Sequence, residues 1–240
     1  MNKNKTNTPK RYRGRGFGIL KTFLKIFIRK PNFVYLGEKI DKPAIILSNH
    51  VGKTAPLKLE LYFKNPFRFW GTHEMNDGFK TLYKYQSEVF YHEKKHWNLG
   101  LARAFCCIAA PLTYIFYKGL NLISTYRDAR FKKTITESIE TLNNNCSIIL
   151  FPEDSSQGYL DHLTGFFGGF VSLANACYKQ GVDIPIYATY YKKQTNQHII
   201  DKPVMFSDLI KDGFDRDKIA KQLCDRVNAL NEITLPEEEK

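Results

Sequence analysis

The chain has 240 residues, 43% of them hydrophobic and 25% charged, with a formal net charge of +12 at pH 7. That length and apolar share suit one α/β domain with a substantial core. The charge is uneven: residues 1–37 hold ten Lys or Arg and no acid, Glu38 being the first, so the partner is nucleic acid, anionic lipid or an anionic substrate, and charge alone does not choose.

In chain order, residues 1–16, made of Asn, Lys, Thr, Arg and Gly around Pro9, lack the apolar content to build a core and read as a disordered basic tail. From Phe17 the pattern changes. Phe17, Leu20, Phe23, Leu24, Phe27 and Ile28 recur at helical spacing, with Lys21 and Lys25 on another face, and Pro31 ends the run. A basic amphipathic helix over 17–30 has two readings: packed on the domain with its lysines in solvent, or lying in a membrane interface. The same stretch has no small-residue cleavage site, so a cleaved signal peptide is not expected.

The body alternates strands and helices. Strands are predicted at 33–36, 44–48, 68–71, 122–125, 147–151 and 184–190, with an added edge strand within 198–206. Helical patterns fill the gaps: Phe131, Ile135, Ile139 and Leu142 mark one that stops at Asn143, Asn144 and Asn145, and residues 217–233 form a closing helix. This order predicts a single α/β domain with a mixed, mostly parallel sheet covered by helices. Residues 236–240 are an acidic tail. The most apolar segment, around 100–117, holds Arg103 and Pro111, so a membrane-spanning helix is not expected there. Core is the favoured reading for it, with the lining of an acyl groove as the alternative.

Five cysteines, Cys106, Cys107, Cys146, Cys177 and Cys224, form no CxxC pair and read as buried small hydrophobes in a reducing compartment. Two motif matches fail on context. Gly52-Lys53-Thr54 lacks the glycine a phosphate-binding loop needs five positions earlier, where Leu47 stands. His92-Glu93-Lys94-Lys95-His96 fits the HExxH pattern literally, but two lysines beside a dication and no third ligand argue for a solvated helix end; no metal is expected.

The informative residues lie where buried strands give way to loops. Ser48-Asn49-His50 ends the run 44–47, and Phe151-Pro152-Glu153 ends 148–150. In parallel sheets, ligands bind beyond the carboxyl ends of strands, so His50 and Glu153 are expected to share one crevice.

With these residues in view, the sequence resembles the glycerolipid (lysophospholipid) acyltransferase family over residues 46–190. The family's Asn-His-x4-Asp-Pro block is similar to 49–56, its strand ending in arginine to 122–127, and its Phe-Pro-Glu-Gly-Thr-Arg-Ser block to 151–157; 166–170 and 182–186 resemble two later segments. The resemblance implies an acyltransferase-like domain over 31–235 that moves a long acyl chain from acyl-CoA or acyl-carrier protein to a hydroxyl of a lysophospholipid or glycerol-phosphate acceptor. It implies His50 as general base, Arg127, Glu153, Ser155 and Ser156 as acceptor-binding residues, and no metal or cofactor. It also implies a peripheral location on the cytoplasmic face of an anionic membrane and no nucleic acid.

Two departures stand out. Ala55 occupies the place of the family's aspartate, and Ser156 that of an arginine. Glu60, Glu74 and Asp154 are the candidate substitutes for the aspartate, and Lys53 and Lys58 for the lost cation. The alternative function is a catalytically weak or inactive lipid-binding paralogue of the same fold.

Overall fold

A computed structural model describes residues 15–154, 158 and 160–234. Of the tail expected over 1–16, residues 1–14 lie outside these residues, as does the whole tail expected over 236–240. The chain runs α1 (Arg15–Phe27), β1 (Asn32–Tyr35), β2 (Ile45–Ser48), α2 (Thr54–Tyr62), β3 (Phe67–Thr72) and α3 (Phe79–Lys84), which continues as a π-helical stretch Tyr85–Lys94. It goes on through α4 (Leu99–Leu120), β4 (Ile123–Thr125), α5 (Phe131–Asn143), β5 (Ser147–Leu150), α6 (Gly169–Tyr178), β6 (Pro185–Lys192), β7 (Gln197–Ile200), β8 (Val204–Met205), α7 (Phe206–Leu209) and α8 (Arg216–Glu232).

The strands join into one sheet in the order β1-β7-β6-β2-β5-β3-β4, with β8 beside β6. Pairing is parallel except for β6 with β7 and with β8. The fold is therefore α/β with a mixed, mostly parallel sheet, as the alternation of patterns requires. Central strands β2 and β5 show why their sequences are continuously apolar. Ile45, Leu47, Ile148 and Leu150 point to the core under α5, α6 and α8, whereas Ile46 and Ile149 point to a second core shared with α1, α2 and the end of α4.

Three expectations are corrected. The strand expected at an edge within 198–206 is interior. A turn through Asn196 in the left-handed region sends β7 back along β6, and β1 takes the outer position. Residues Val204–Met205 form the separate β8. Helix α1 starts two residues earlier than expected, and its Lys21 faces protein: Nζ donates to a Glu60 carboxylate oxygen at 2.8 Å and to the Glu60 carbonyl at 2.6 Å. Lys25 lies 5.5 Å from the centre of the Tyr62 ring.

The third correction concerns α4. It is 22 residues long and continuous through Pro111, the one helix among the described residues long and apolar enough to cross a membrane by length and composition. It is not core. Ala102, Cys106 and Ala110 are buried while Ile108 is 75% and Leu112 65% exposed. Cys107 is likewise exposed, unlike the other four cysteines.

Candidate active site

The C-terminal ends of β2 and β5 are neighbours, with Leu47 opposite Leu150, so the loops that follow start side by side. The chain leaves β2 through Asn49, whose buried side chain imitates one more residue of strand. Its Nδ2 donates to the Tyr191 carbonyl at 3.1 Å, and the Tyr191 N–H donates to its Oδ1 at 2.7 Å. An amide carries both a donor and an acceptor, which is why asparagine can close this pair. Immediately below, Thr189 Oγ1 donates to the Leu47 carbonyl at 3.0 Å and lies 3.1 Å from His198 Nε2. The threonine has one proton, spent on Leu47, so His198 Nε2 is the donor in this relay.

This buttress fixes the backbone on which His50 follows. Val51 and Gly52 then turn at φ 44° and 62°, a left-handed conformation strained for a β-branched side chain. From the β5 side, Glu153 returns beneath the turn: the His50 N–H donates to Glu153 Oε1 at 3.1 Å. Phe151 packs edge-on against the imidazole with centroids 4.9 Å apart. A bridge from Glu153 to Phe166, and a 2.8 Å bond from the Phe167 N–H to the Pro152 carbonyl, pin the second loop.

Burial dominates the electrostatics. It lowers the His50 pKa to about 4, with the charge of Lys94 acting the same way and a hydrogen bond with the Gly52 backbone opposing both. Burial raises Glu153 to about 7, against the stabilising His50 N–H. Near neutral pH the imidazole is uncharged, and Glu153 is poised between its two forms.

The other sequence-predicted residues fall as follows. Arg127 is exposed beyond edge strand β4, its guanidinium 5.7 Å from the centre of the Phe167 ring. Ser155 and Ser156 lie outside the described residues. Among the three carboxylates weighed for the missing aspartate, Glu60 is held by Lys21 under α1. Glu74 accepts from Thr72 Oγ1 and pairs with His73, and Asp154 has an exposed side chain and donates its backbone N–H to the Gly165 carbonyl. Ala55 itself is fully buried in the first turn of α2. Lys58 does not offer a free cation: it is buried, donates to Asn196 Oδ1 and lies over the Tyr191 ring. His92 lies near the end of the π-helical stretch with its Nδ1 2.8 Å from the Trp97 carbonyl, and no metal-binding group occurs among the described residues.

Sequence reasoning missed the Asn49–Tyr191 pair, the Thr189–His198 relay and the approach of Lys94 to His50. The first joins residues 142 apart in the chain, and nothing local in either segment announces it.

No protein-family model and no curated protein matches the chain. Among solved structures, it is similar to the crystal structure of the 1-acyl-sn-glycerophosphate (LPA) acyltransferase PlsC from Thermotoga maritima. The TM-score is 0.47 and the identity 16%, with 92% of this chain and 80% of that chain covered.

Proposed function

We propose that the chain is an acyltransferase that moves a long acyl group from a thioester carrier, acyl-CoA or acyl-carrier protein, to a hydroxyl of a lysophospholipid-like acceptor at the cytoplasmic face of a membrane. The observation that supports this reading best is the hydrogen-bonded pairing of His50 with Glu153 at the ends of adjacent parallel strands. Both residues stand where the sequence resemblance puts the base and an acceptor-binding carboxylate. An uncharged imidazole has a lone pair to take the acceptor hydroxyl's proton as its oxygen attacks the thioester carbonyl. When the carbon–sulfur bond breaks, the imidazolium returns that proton to the departing thiolate.

Glu153 enters this scheme with a dual task. Its Oε1 fixes the His50 backbone, and in this reading its second oxygen orients an acceptor hydroxyl. Arg127, carried beside the second loop by Phe167, is the cation for an acceptor phosphate.

A second reading, a weak or inactive lipid-binding paralogue, is favoured by one observation. The buried Ala55 replaces the carboxylate that the resemblance implies would hold the imidazole, and a pKa of about 4 makes His50 a poor base. The deciding experiment measures acyl transfer by wild type and His50→Ala, offered long-chain acyl-CoA and acyl-carrier protein with a panel of lysophospholipids in mixed micelles. Transfer abolished by the substitution supports the enzyme. No transfer from either donor, with lipid still bound, supports the paralogue.

A further inference from the structure

Helix α4 is built inside out for a helix in water. Its small residues Ala102, Cys106 and Ala110 are buried against α3 and the π-helical stretch. Its bulky ones, Leu101, Phe105, Ile108, Leu112 and Ile115, form one exposed stripe at helical spacing. A water-facing helix buries its large apolar side chains. The reverse order belongs to helices in lipid, where small residues allow close backbone approach and large ones meet hydrocarbon.

Helix α1 likewise exposes large apolar side chains. Phe17 is buried and Lys21 is held by Glu60, while Ile19, Phe23, Ile26 and Phe27 are exposed, Ile26 at 74%. The two helices are one unit: the Phe17 ring lies over Gly119, where a Cβ would come within 2.1 Å of it, and 5.6 Å from the Phe116 ring. Only glycine permits that approach. An apolar surface contributed by two distant segments exceeds the scattered exposure normal for a monomer.

Charge identifies what covers it. Neither α1 nor α4 contains an acid; beside Lys21 and Arg103, which pair with Glu60 and Glu88, the two helices carry exposed Lys25 and Lys118, and exposed Arg29 and Lys30 follow α1. Trp97, packed 5.5 Å from Phe105, stands at the entry to the α4 stripe, the position of an interfacial aromatic. An apolar face without acids, rimmed by cations and an indole, complements anionic lipid.

We infer that α1 and α4 form a single bilayer-facing surface, with α4 lying along the interface of an anionic membrane and its 101–115 stripe in the acyl region. At 1.5 Å per residue α4 is about 33 Å long, enough to span, but the fold opposes that. Leu120 and Leu122 are buried in the domain, and the π-helical stretch beside α4 carries Glu88, Glu93 and Lys94, with Lys95 just after it and Glu88 paired to Arg103 at 3.0 Å. Driving this hairpin through a bilayer would take those charges into hydrocarbon. The surface stands apart from the acyl-transfer chemistry, although it would set the site beside its lipid acceptor.

The test uses full-length protein with vesicles of three parts phosphatidylcholine to one part phosphatidylglycerol. Wild type, Trp97→Phe, His50→Ala and the double variant Ile108→Glu/Leu112→Glu are compared by co-sedimentation and by quenching of tryptophan emission with brominated acyl chains. Both glutamates replace exposed side chains, so the fold survives, which circular dichroism checks. We expect wild type to bind and to be quenched, Trp97→Phe to lose most of the quenching, and the double variant to bind about tenfold or more weaker. Equal binding by the double variant, or quenching unchanged by Trp97→Phe, overturns the inference. So does a concentration-dependent dimer abolished by the same two glutamates in a protein that ignores vesicles, because the face would then be a protein interface. His50→Ala separates the two proposals: it should bind vesicles like wild type whether or not acyl transfer is found.

Discussion

Replacing Glu153 with Gln isolates the cost of burying that carboxyl. Gln keeps an Oε1 acceptor for the His50 N–H, which Glu153 accepts at 3.1 Å, but it cannot ionise. The wild-type carboxyl is raised from its ordinary 4.5 to about 7 by burial. Below 4.5 it is protonated in both folded and unfolded chains and contributes no pH dependence. Between 4.5 and 7 the unfolded chain releases the proton and the native one keeps it, so wild-type stability falls by about 1.4 kcal/mol per pH unit. Above 7 the loss levels off at roughly 3 kcal/mol. His50 acts oppositely: its pKa is depressed from 6.5 to about 4, so stability rises with pH across that window and partly masks the glutamate. Because His50 is present in both proteins, its contribution cancels in their difference. The assay is urea unfolding of wild type and Glu153→Gln at a series of pH values from 4 to 8, with midpoints converted through the m-value. The stability of Glu153→Gln relative to wild type should climb with pH from 4.5 and flatten past 7, by roughly 3 kcal/mol in total. A difference that stays constant with pH would refute the reasoning, since Glu153 would then not be held protonated by burial.

Asn49→Ala removes both bonds to the Tyr191 backbone; leaving those buried groups unpaired should cost about 1–3 kcal/mol each, read as a lower urea midpoint. Gly119→Ala places a methyl against the Phe17 ring and should destabilise by about 1–3 kcal/mol, with faster proteolysis at α1. Adding Phe17→Ala should then cost less than it does in wild type, a non-additivity that a double-mutant cycle measures. Ala55→Asp restores a carboxylate in the first turn of α2, and a neighbouring negative charge should raise the His50 pKa by about 1–3 pH units, followed by NMR titration of the imidazole. If acyl transfer is limited by the weak base, it should rise in parallel, and an unmoved His50 pKa would show that position 55 does not address the ring.

Much of the fold was legible because its signals are local. The paired runs 44–47 and 148–150 are apolar at every position since β2 and β5 are covered on both faces, and the Phe131, Ile135, Ile139, Leu142 spacing is that of α5. Strand ends also placed His50 and Glu153 in adjacent loops, because parallel neighbours release their chains on the same side of the sheet. What was misread lies in the choice of partner. Periodicity grouped the large residues of α1 on one face, but such a stripe serves a core or a lipid surface, and the apolar run of α4 carried no sign of which residues face inward. Which side chains of α4 face the protein is set by Ala102, Cys106 and Ala110 packing inward and by Gly119 admitting Phe17.

Most strands and helices, and the residues that end the central strands, can be read from the chain alone, since backbone preference and burial period are written within a few residues. Only the tertiary structure decided that β7 is interior, that Lys21 and Lys58 are spent on Glu60 and Asn196, and that Glu153 holds the backbone of His50. Those outcomes depend on which groups meet across more than a hundred residues or across two helices. A side chain's charge state and accessibility follow from the neighbour it finds, and that neighbour exists only once the sheet has closed.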